Sequence, residues 1–234
     1  MPDPDDRLKN KAQAIHERLI QVYGHPEWRP HLDPISEMVS TILSQNTSDG
    51  NRDMAFNRLR TRFATWEMVR DAPVEAIEAA IRPAGLAPQK APRIKQALLF
   101  VSEQRDELEL EFLKEWPVDQ AKAWLTQING IGPKTAAIVL LFSLGRPAFP
   151  VDTHIHRVTR RLGLIGPDVS AARAHDELED VLPADWYYPF HLNVIRHGRE
   201  VCPARVPPKC EICPLQACCD HYQEVVPPAA CDKT

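Results

Sequence analysis

Residues 125–157 read LTQINGIGPKTAAIVLLFSLGRPAFPVDTHIHR, and the fold follows from them. At their centre is Ile128-Asn129-Gly130-Ile131-Gly132-Pro133-Lys134-Thr135. Two glycines one residue apart let the backbone turn sharply and leave little side chain to block an approaching phosphate. Gly132 suits a helix N-cap and Pro133 the first helical position. The run that follows is apolar nearly all round. It predicts a buried helix from Pro133 to a glycine cap at Gly145. Its one charged residue, Lys134, falls in the first turn. The helix dipole disfavours a cation there, and partial burial would do the same. An amine so placed is a candidate nucleophile. Next comes Pro150-Val151-Asp152-Thr153-His154. Asp152 is a natural N-cap for a helix whose apolar face is Ile155, Val158 and Leu162. Lysine and aspartate meet if the first helix folds back beside the second, which the short connection from Gly145 to Val151 permits.

The rest of the chain also reads as helices. Apolar residues at 12, 15, 19, 20 and 22 mark an amphipathic helix over Leu8 to Tyr23. Pro26, Pro30 and Pro34 then mark a loop, and Asp33-Pro34 opens a helix to Ser44. In the loop that follows, Asp49 is expected to cap a helix from Asn51 to Phe63. One or two short helices cover Trp66 to Arg82. A turn around Gly85 leads into a helix ending near Gln104. Further helices fall at Val118–Gln127, Ser170–Leu182 and Trp186–Gly198. No strand alternation persists anywhere, so the class is all-α.

An apolar share of 44% suits a folded chain with a core. The start, Met-Pro-Asp-Pro-Asp-Asp, is the opposite of a basic signal-peptide start. The uncharged run from Thr135 to Gly145 is too short to span a membrane. The expectation is a monomer without a membrane partner or targeting segment, cytoplasmic, and at the nucleoid if the source is prokaryotic. A net charge of -4 argues mildly against nucleic acid, but local charge matters more. Residues 128–163 carry Lys134, Arg146, Arg157, Arg160 and Arg161 against Asp152 alone, a balance of +4. Arg196, Arg199, Arg205 and Lys209 against Glu200 add +3, while acidic residues collect at Asp106 to Glu111. This pattern fits a basic face on an acidic protein, and equally ordinary surface charge.

Of the 6 cysteines, Cys202, Cys210, Cys213, Cys218 and Cys219 fall close together. Without a secretion signal, such a cluster points to metal ligation rather than disulfides. With Cys219 as the fourth ligand the spacing is C-x7-C-x2-C-x5-C. A zinc site usually shows two close pairs, and here there is one; four thiolates also suit an iron–sulfur cube. Cys231 lies apart, in the tail.

Gly130-Ile-Gly-Pro-Lys-Thr-Ala followed by Val151-Asp-Thr-His resembles the helix–hairpin–helix and Gly/Pro-Asp signature of DNA glycosylases. The version with both lysine and aspartate resembles the endonuclease III branch. The resemblance runs from about Leu32 to Cys219. It implies a helical barrel over residues 28–146, and an iron–sulfur lobe made of residues 1–27 and 147–234. DNA would bind in a cleft between the two lobes. It implies that Lys134 attacks C1′ of the damaged nucleotide and that Asp152 assists, so that a bifunctional glycosylase and abasic-site lyase acts on damaged duplex DNA. Oxidised pyrimidines are the family's usual bases. The hairpin residues Gly130, Gly132 and Thr135 would meet a phosphate, with His154, Arg205 and Lys209 as further DNA contacts. Asn46 falls where the family has its polar wedge, usually glutamine, and Gln45 stands beside it. Leu86 in Gly85-Leu86-x-x-x-Lys90-Ala91 would be the apolar wedge. The family's [4Fe-4S] cluster has the spacing C-x6-C-x2-C-x5-C, which selects Cys202, Cys210, Cys213 and Cys219 with one extra residue in the first interval.

Each residue has a plainer reading. Gln45 and Asn46 fit a polar helix connection, and Leu86 fits a helix start stapled into the core. Lys134 fits a phosphate-binding lysine, Asp152 a simple cap and His154 a surface residue. Three other functions stay open: a glycosylase without lyase activity, a non-catalytic DNA-binding module, and a cluster-bearing electron carrier. Asn129 stands where the family usually has proline, and Pro133 where it has a basic residue.

Overall fold

The computed structural model describes residues 4–105 and 107–225. The first three residues, Asp106 and Cys231 lie outside them. The described residues form twelve α-helices with short 3-10 turns and no strand. The chain divides into two compact units, Arg29–Ala148 and a discontinuous one made of Met1–Trp28 with Phe149–Thr234. No described helix is long and apolar enough to cross a membrane.

The Arg29–Ala148 unit holds α2 (Pro34–Ser44), α3 (Asp49–Arg62), α4 (Trp66–Asp71) and α5 (Val74–Ile81), then α6 (Ala87–Gln104), α7 (Val118–Leu125) and α8 (Pro133–Ile138). Asp33 caps α2, its carboxylate accepting from the Ser36 amide at 2.9 Å. The cap of α3 is Ser48, whose hydroxyl accepts from the Asn51 amide at 3.3 Å, and Asp49 is already inside the helix. Asp49 was the expected cap; Ser48 takes its place because both are good cap residues and local sequence does not rank them. Ile35, Met38, Val39, Ile42 and Leu43 of α2 are buried in one core with Leu59, Ile77, Ile94, Leu98 and Leu140.

The expected helix from Pro133 to Gly145 is α-helical only to Ile138, and Val139–Ser143 continues as π-helix. Leu140 accepts from the Arg146 amide at 2.8 Å, and Gly145 ends the element with a φ of 63°. Residues 139–143 are all buried. A run that is apolar on every side carries no readable period, so sequence alone does not separate α from π winding here.

The other unit holds α1 (Pro4–Tyr23), α9 (Thr153–Leu162), α10 (Arg173–Val181), α11 (Tyr187–Glu200) and α12 (Asp220–Val225). Ala12, Ile15 and Leu19 of α1 are buried, as are Ile155, Val158 and Leu162 of α9 and Phe190 and Val194 of α11. The helix α12 has no counterpart in the sequence reading; six residues after a cysteine cluster give too little periodicity.

Glu37 of α2 is only 9% exposed, and its Oε2 has no hydrogen-bond partner. Burial pushes its pKa up from 4.5 to about 7, with Arg52 opposing and Asp33 adding. The folded state therefore holds this proton more tightly than the unfolded chain does. The corresponding stability is present below pH 4.5 and is lost as pH rises through 7. Glu37→Gln, which mimics the protonated acid, is expected to stabilise the protein by about 1–3 kcal/mol at pH 8 and little at pH 4. Thermal unfolding at both pH values checks this; equal effects at both would contradict it.

Candidate nucleic-acid interface and cysteine loop

In the Arg29–Ala148 unit, the hairpin is α7, a turn, and α8. Gly130 has a φ of 87°, a backbone that other residues adopt at a cost. A Cβ there would come within 3.1 Å of the Arg93 side chain, so the turn also needs the missing side chain for room. Gly132 caps α8 with extended backbone and no side-chain bond. Lys134 is exposed in the first turn, and not partly buried as expected. Thr135 is buried at 5% exposure. It faces the core at the third position of α8, so packing and not an open surface accounts for it.

Two non-glycine residues among those described have left-handed backbone, Asn46 (φ 52°) and Leu86 (φ 51°). Asn46 is exposed, and Leu86 is 44% exposed, so Leu86 is not a staple in the core. Gln45 differs from its neighbour. Its Oε1 accepts from Arg93 Nη1 at 3.2 Å and its Nε2 donates to the Gly130 carbonyl at 3.4 Å. Gln45 is thus turned back onto the protein, while Asn46 stands at the tip. Left-handed non-glycine residues cost energy and persist where surroundings hold them.

In the other unit, Asp152 caps α9. Its Oδ1 accepts from the amides of His154 and Ile155, both at 2.8 Å. The chain leading to it is pinned by side chains from α10 and α11. Glu179 accepts from the Phe149 amide at 2.7 Å, His175 Nδ1 bonds the Phe149 carbonyl at 2.8 Å, and His191 Nδ1 bonds the Pro150 carbonyl at 3.0 Å. A carbonyl can only accept, so both ring nitrogens carry the proton. Sequence reading missed these three residues, because their partners lie 26 to 41 positions away. His154 is half-buried, with Nδ1 3.2 Å from Arg157 Nη2, and burial lowers its pKa.

Arg157 and Arg161 do not serve a basic face. Arg157 donates to the carbonyls of Gly198 (2.9 Å) and Cys202 (3.1 Å). Arg161 donates to Cys202 Sγ and to the Pro203 carbonyl, both at 3.0 Å. Arg196 pairs with Glu200 at 3.0 Å, and Arg146 donates to the Trp116 carbonyl at 3.0 Å. Arg160, Arg205 and Lys209 are exposed. The charge balance counted along the chain thus overstated the exposed positive charge.

Cys202, Cys210, Cys213 and Cys219 line one small cavity, with Arg161 and Leu162 on its wall. Cys218 does not line it; it faces a different hollow beside Arg7 and Lys11. Among the described residues no group of His, Cys, Asp and Glu forms a ready-made metal site. Burial pushes the Cys213 thiol up to about 11 and also raises Cys210 and Cys219, with the neighbouring thiols adding. His197 packs at 3.7 Å from Cys213 Sγ, and burial holds its pKa down at about 4. Clustered, buried thiols resist ionisation unless a cation compensates them, as a metal would.

Residues 39–184 match the HhH-GPD superfamily base excision DNA repair protein family. A putative DNA glycosylase of Arabidopsis thaliana is 35% identical over 162 residues, 69% of this chain. The chain spans 55% of that relative's length. Endonuclease III of Thermotoga maritima is 31% identical over 198 residues, 85% of this chain and 88% of the relative. A solved structure of an endonuclease III–DNA covalent intermediate, trapped in an estranged-adenine complex, has a TM-score of 0.78 and 26% identity. It covers 93% of this chain and 98% of its own.

The left-handed backbone at Leu86 makes a stability prediction. Leu86→Gly relieves strain worth about 1–2 kcal/mol while adding freedom to the unfolded chain. The melting temperature is therefore expected to hold or rise, although a leucine is lost. A drop of several degrees would instead mean that Leu86 contributes core packing.

Proposed function

Because the chain belongs to the endonuclease III family of HhH-GPD base excision DNA repair proteins, we propose that it is a bifunctional DNA glycosylase and abasic-site lyase. The observation that carries this reading is the exposed Lys134 amine in the first turn after the glycine hairpin. That exposure leaves the amine open to react, and borohydride trapping separates this role from phosphate binding alone. Duplex DNA keeps C1′ of a nucleotide out of reach, so the damaged nucleotide must leave the stack. Asn46 and Leu86 are the residues that fill the gap, since both stand exposed at turn tips. Gln45 supports the tip and does not enter the duplex. Gly130 and Gly132 leave the hairpin amides open to a phosphate.

Lys134 Nζ attacks C1′ as the base leaves. Asp152 stabilises positive charge on the sugar as the base departs. Both of its cap bonds use Oδ1, so the carboxylate is oriented by α9 while Oδ2 is left out of the cap. The C1′–O4′ bond of this adduct then breaks, O4′ taking a proton, to give a ring-opened imine that acidifies C2′; loss of the C2′ proton expels the 3′ phosphate. Oxidised pyrimidines are the first substrates to try. His154, held by Arg157 at 3.2 Å, is a further DNA contact.

Cys202, Cys210, Cys213 and Cys219 are the residues that hold a [4Fe-4S] cluster. The shared cavity supports this set, and so does the exclusion of Cys218 from it. When bound, the cluster supplies a cross-link that stiffens the loop and takes no part in base removal. The exposed Arg205 and Lys209 on that loop meet phosphates.

Borohydride trapping on duplex DNA with one abasic site is expected to give a covalent adduct, lost in Lys134→Ala. Asp152→Asn is expected to keep DNA binding and lower base release at least about 100-fold. Binding without any adduct would point to a glycosylase lacking lyase activity, and unchanged release in Asp152→Asn would overturn the assignment. Iron content and visible absorbance separate the cysteines: Cys219→Ser loses the iron and Cys218→Ser keeps it. The reverse pattern, or zinc in the purified protein, would refute the cluster set.

A further inference from the structure

The largest fully buried side chain of the Arg29–Ala148 unit is a lysine that no chemical step uses. Lys90 of α6 is 1% exposed. Its ammonium donates to the carbonyls of Leu43 and Ala84, both at 2.8 Å. Desolvation lowers its pKa, a cost that an apolar residue in the same place would avoid.

The two carbonyls it selects are informative. Leu43 lies in the last turn of α2, three residues before Asn46. The last four carbonyls of a helix have no intrahelical partner. Here Thr41 is satisfied by the Ser44 hydroxyl, Ile42 by the Gln45 amide and Ser44 by the Thr47 amide. Leu43 is satisfied by Lys90. Ala84 ends the 3-10 turn Arg82–Ala84, two residues before Leu86. One ammonium thus ties together the bases of the two left-handed tips.

The same helix continues the pattern. Arg93, three residues on, donates to Gln45, and its stem packs under Gly130. Gln96, three further, accepts from Asn129 Nδ2 at 2.9 Å. Lys90, Arg93 and Gln96 therefore touch, in order, the two tips, the polar tip with the hairpin, and the hairpin.

We propose that Lys90 is a positioning residue that sets Asn46 and Leu86 in a common register, so that both tips enter DNA as one rigid wedge. The proposal rests on the reading of these tips as the gap-filling residues. A lysine that served stability alone would affect every DNA substrate equally. A register clamp matters only where the protein must open the stack itself.

The test uses full-length Lys90→Met and Lys90→Gln, the second keeping one donor in case the first does not fold. The DNA carries one abasic site beside 2-aminopurine, either in continuous duplex or in a bubble of three unpaired positions. Rates are measured well below each variant's melting temperature. On duplex, Lys90→Met is expected to lose about tenfold in strand cleavage and most of the 2-aminopurine fluorescence rise on binding. On the bubble, cleavage should stay within about twofold of the unsubstituted protein. Lys90→Gln should fall between. Equal losses on both DNAs, or no loss on duplex, would overturn the clamp. Asn46→Ala and Leu86→Ala are the separate control: if neither changes duplex opening by the unsubstituted protein, the reading of the tips fails, whatever Lys90 does.

Discussion

Every α-helix leaves backbone groups at both ends without partners inside the helix, and those groups must be satisfied from elsewhere. In this chain the functional residues stand where that need is met. Asp152 satisfies two amides at the start of α9. Lys90 satisfies a carbonyl at the end of α2. Gly132 starts α8 with no side-chain cap. That last case leaves first-turn amides without a side-chain partner, which suits an anion that arrives from outside. Helix ends that are filled hold the structure, and among the several helices whose N-cap makes no side-chain bond, α8 is the one that begins at the glycine hairpin.

The cysteine loop shows the same logic with less regular structure. Between Cys202 and Asp220 only two single-turn 3-10 segments form. Arg157 and Arg161 reach out of α9 to donate to the loop's first carbonyls and one sulfur. Gly198 makes this possible, since a Cβ there would come within 3.2 Å of Arg157, His154 and Val158. Two arginines that look like DNA contacts along the sequence are thus committed to holding the loop.

Much of the site was legible because it depends on local chemistry. Asp152 as a cap, the Gly130 turn, Gly145 as a terminator and the apolar face of α9 all follow from neighbours within four residues. The cysteine spacing already favours Cys219 over Cys218, and the cavity that Cys219 lines and Cys218 does not agrees with it. What local sequence misses is long-range pairing. His175, His191 and Glu179 pin Phe149 and Pro150 from other helices. The split of Gln45 from Asn46 depends on Arg93, 48 positions from Gln45. The π winding after Ile138 was hidden because an all-apolar run shows no period.

The two lysines make the same point about residue type and environment. Lys134 and Lys90 each lie in the opening turn or turns of a helix that begins near a proline. By composition they are equivalent. Lys90 points inward, where two carbonyls compensate its charge and fix it in place, so its amine is unavailable for chemistry. Lys134 is exposed in the first turn of α8, beside amides that no side chain caps. A buried lysine bonded to two carbonyls is fixed in place, and an exposed one at a helix start keeps its amine in solvent. Division of labour between the two follows from which end of a helix dipole and which solvent each ammonium meets.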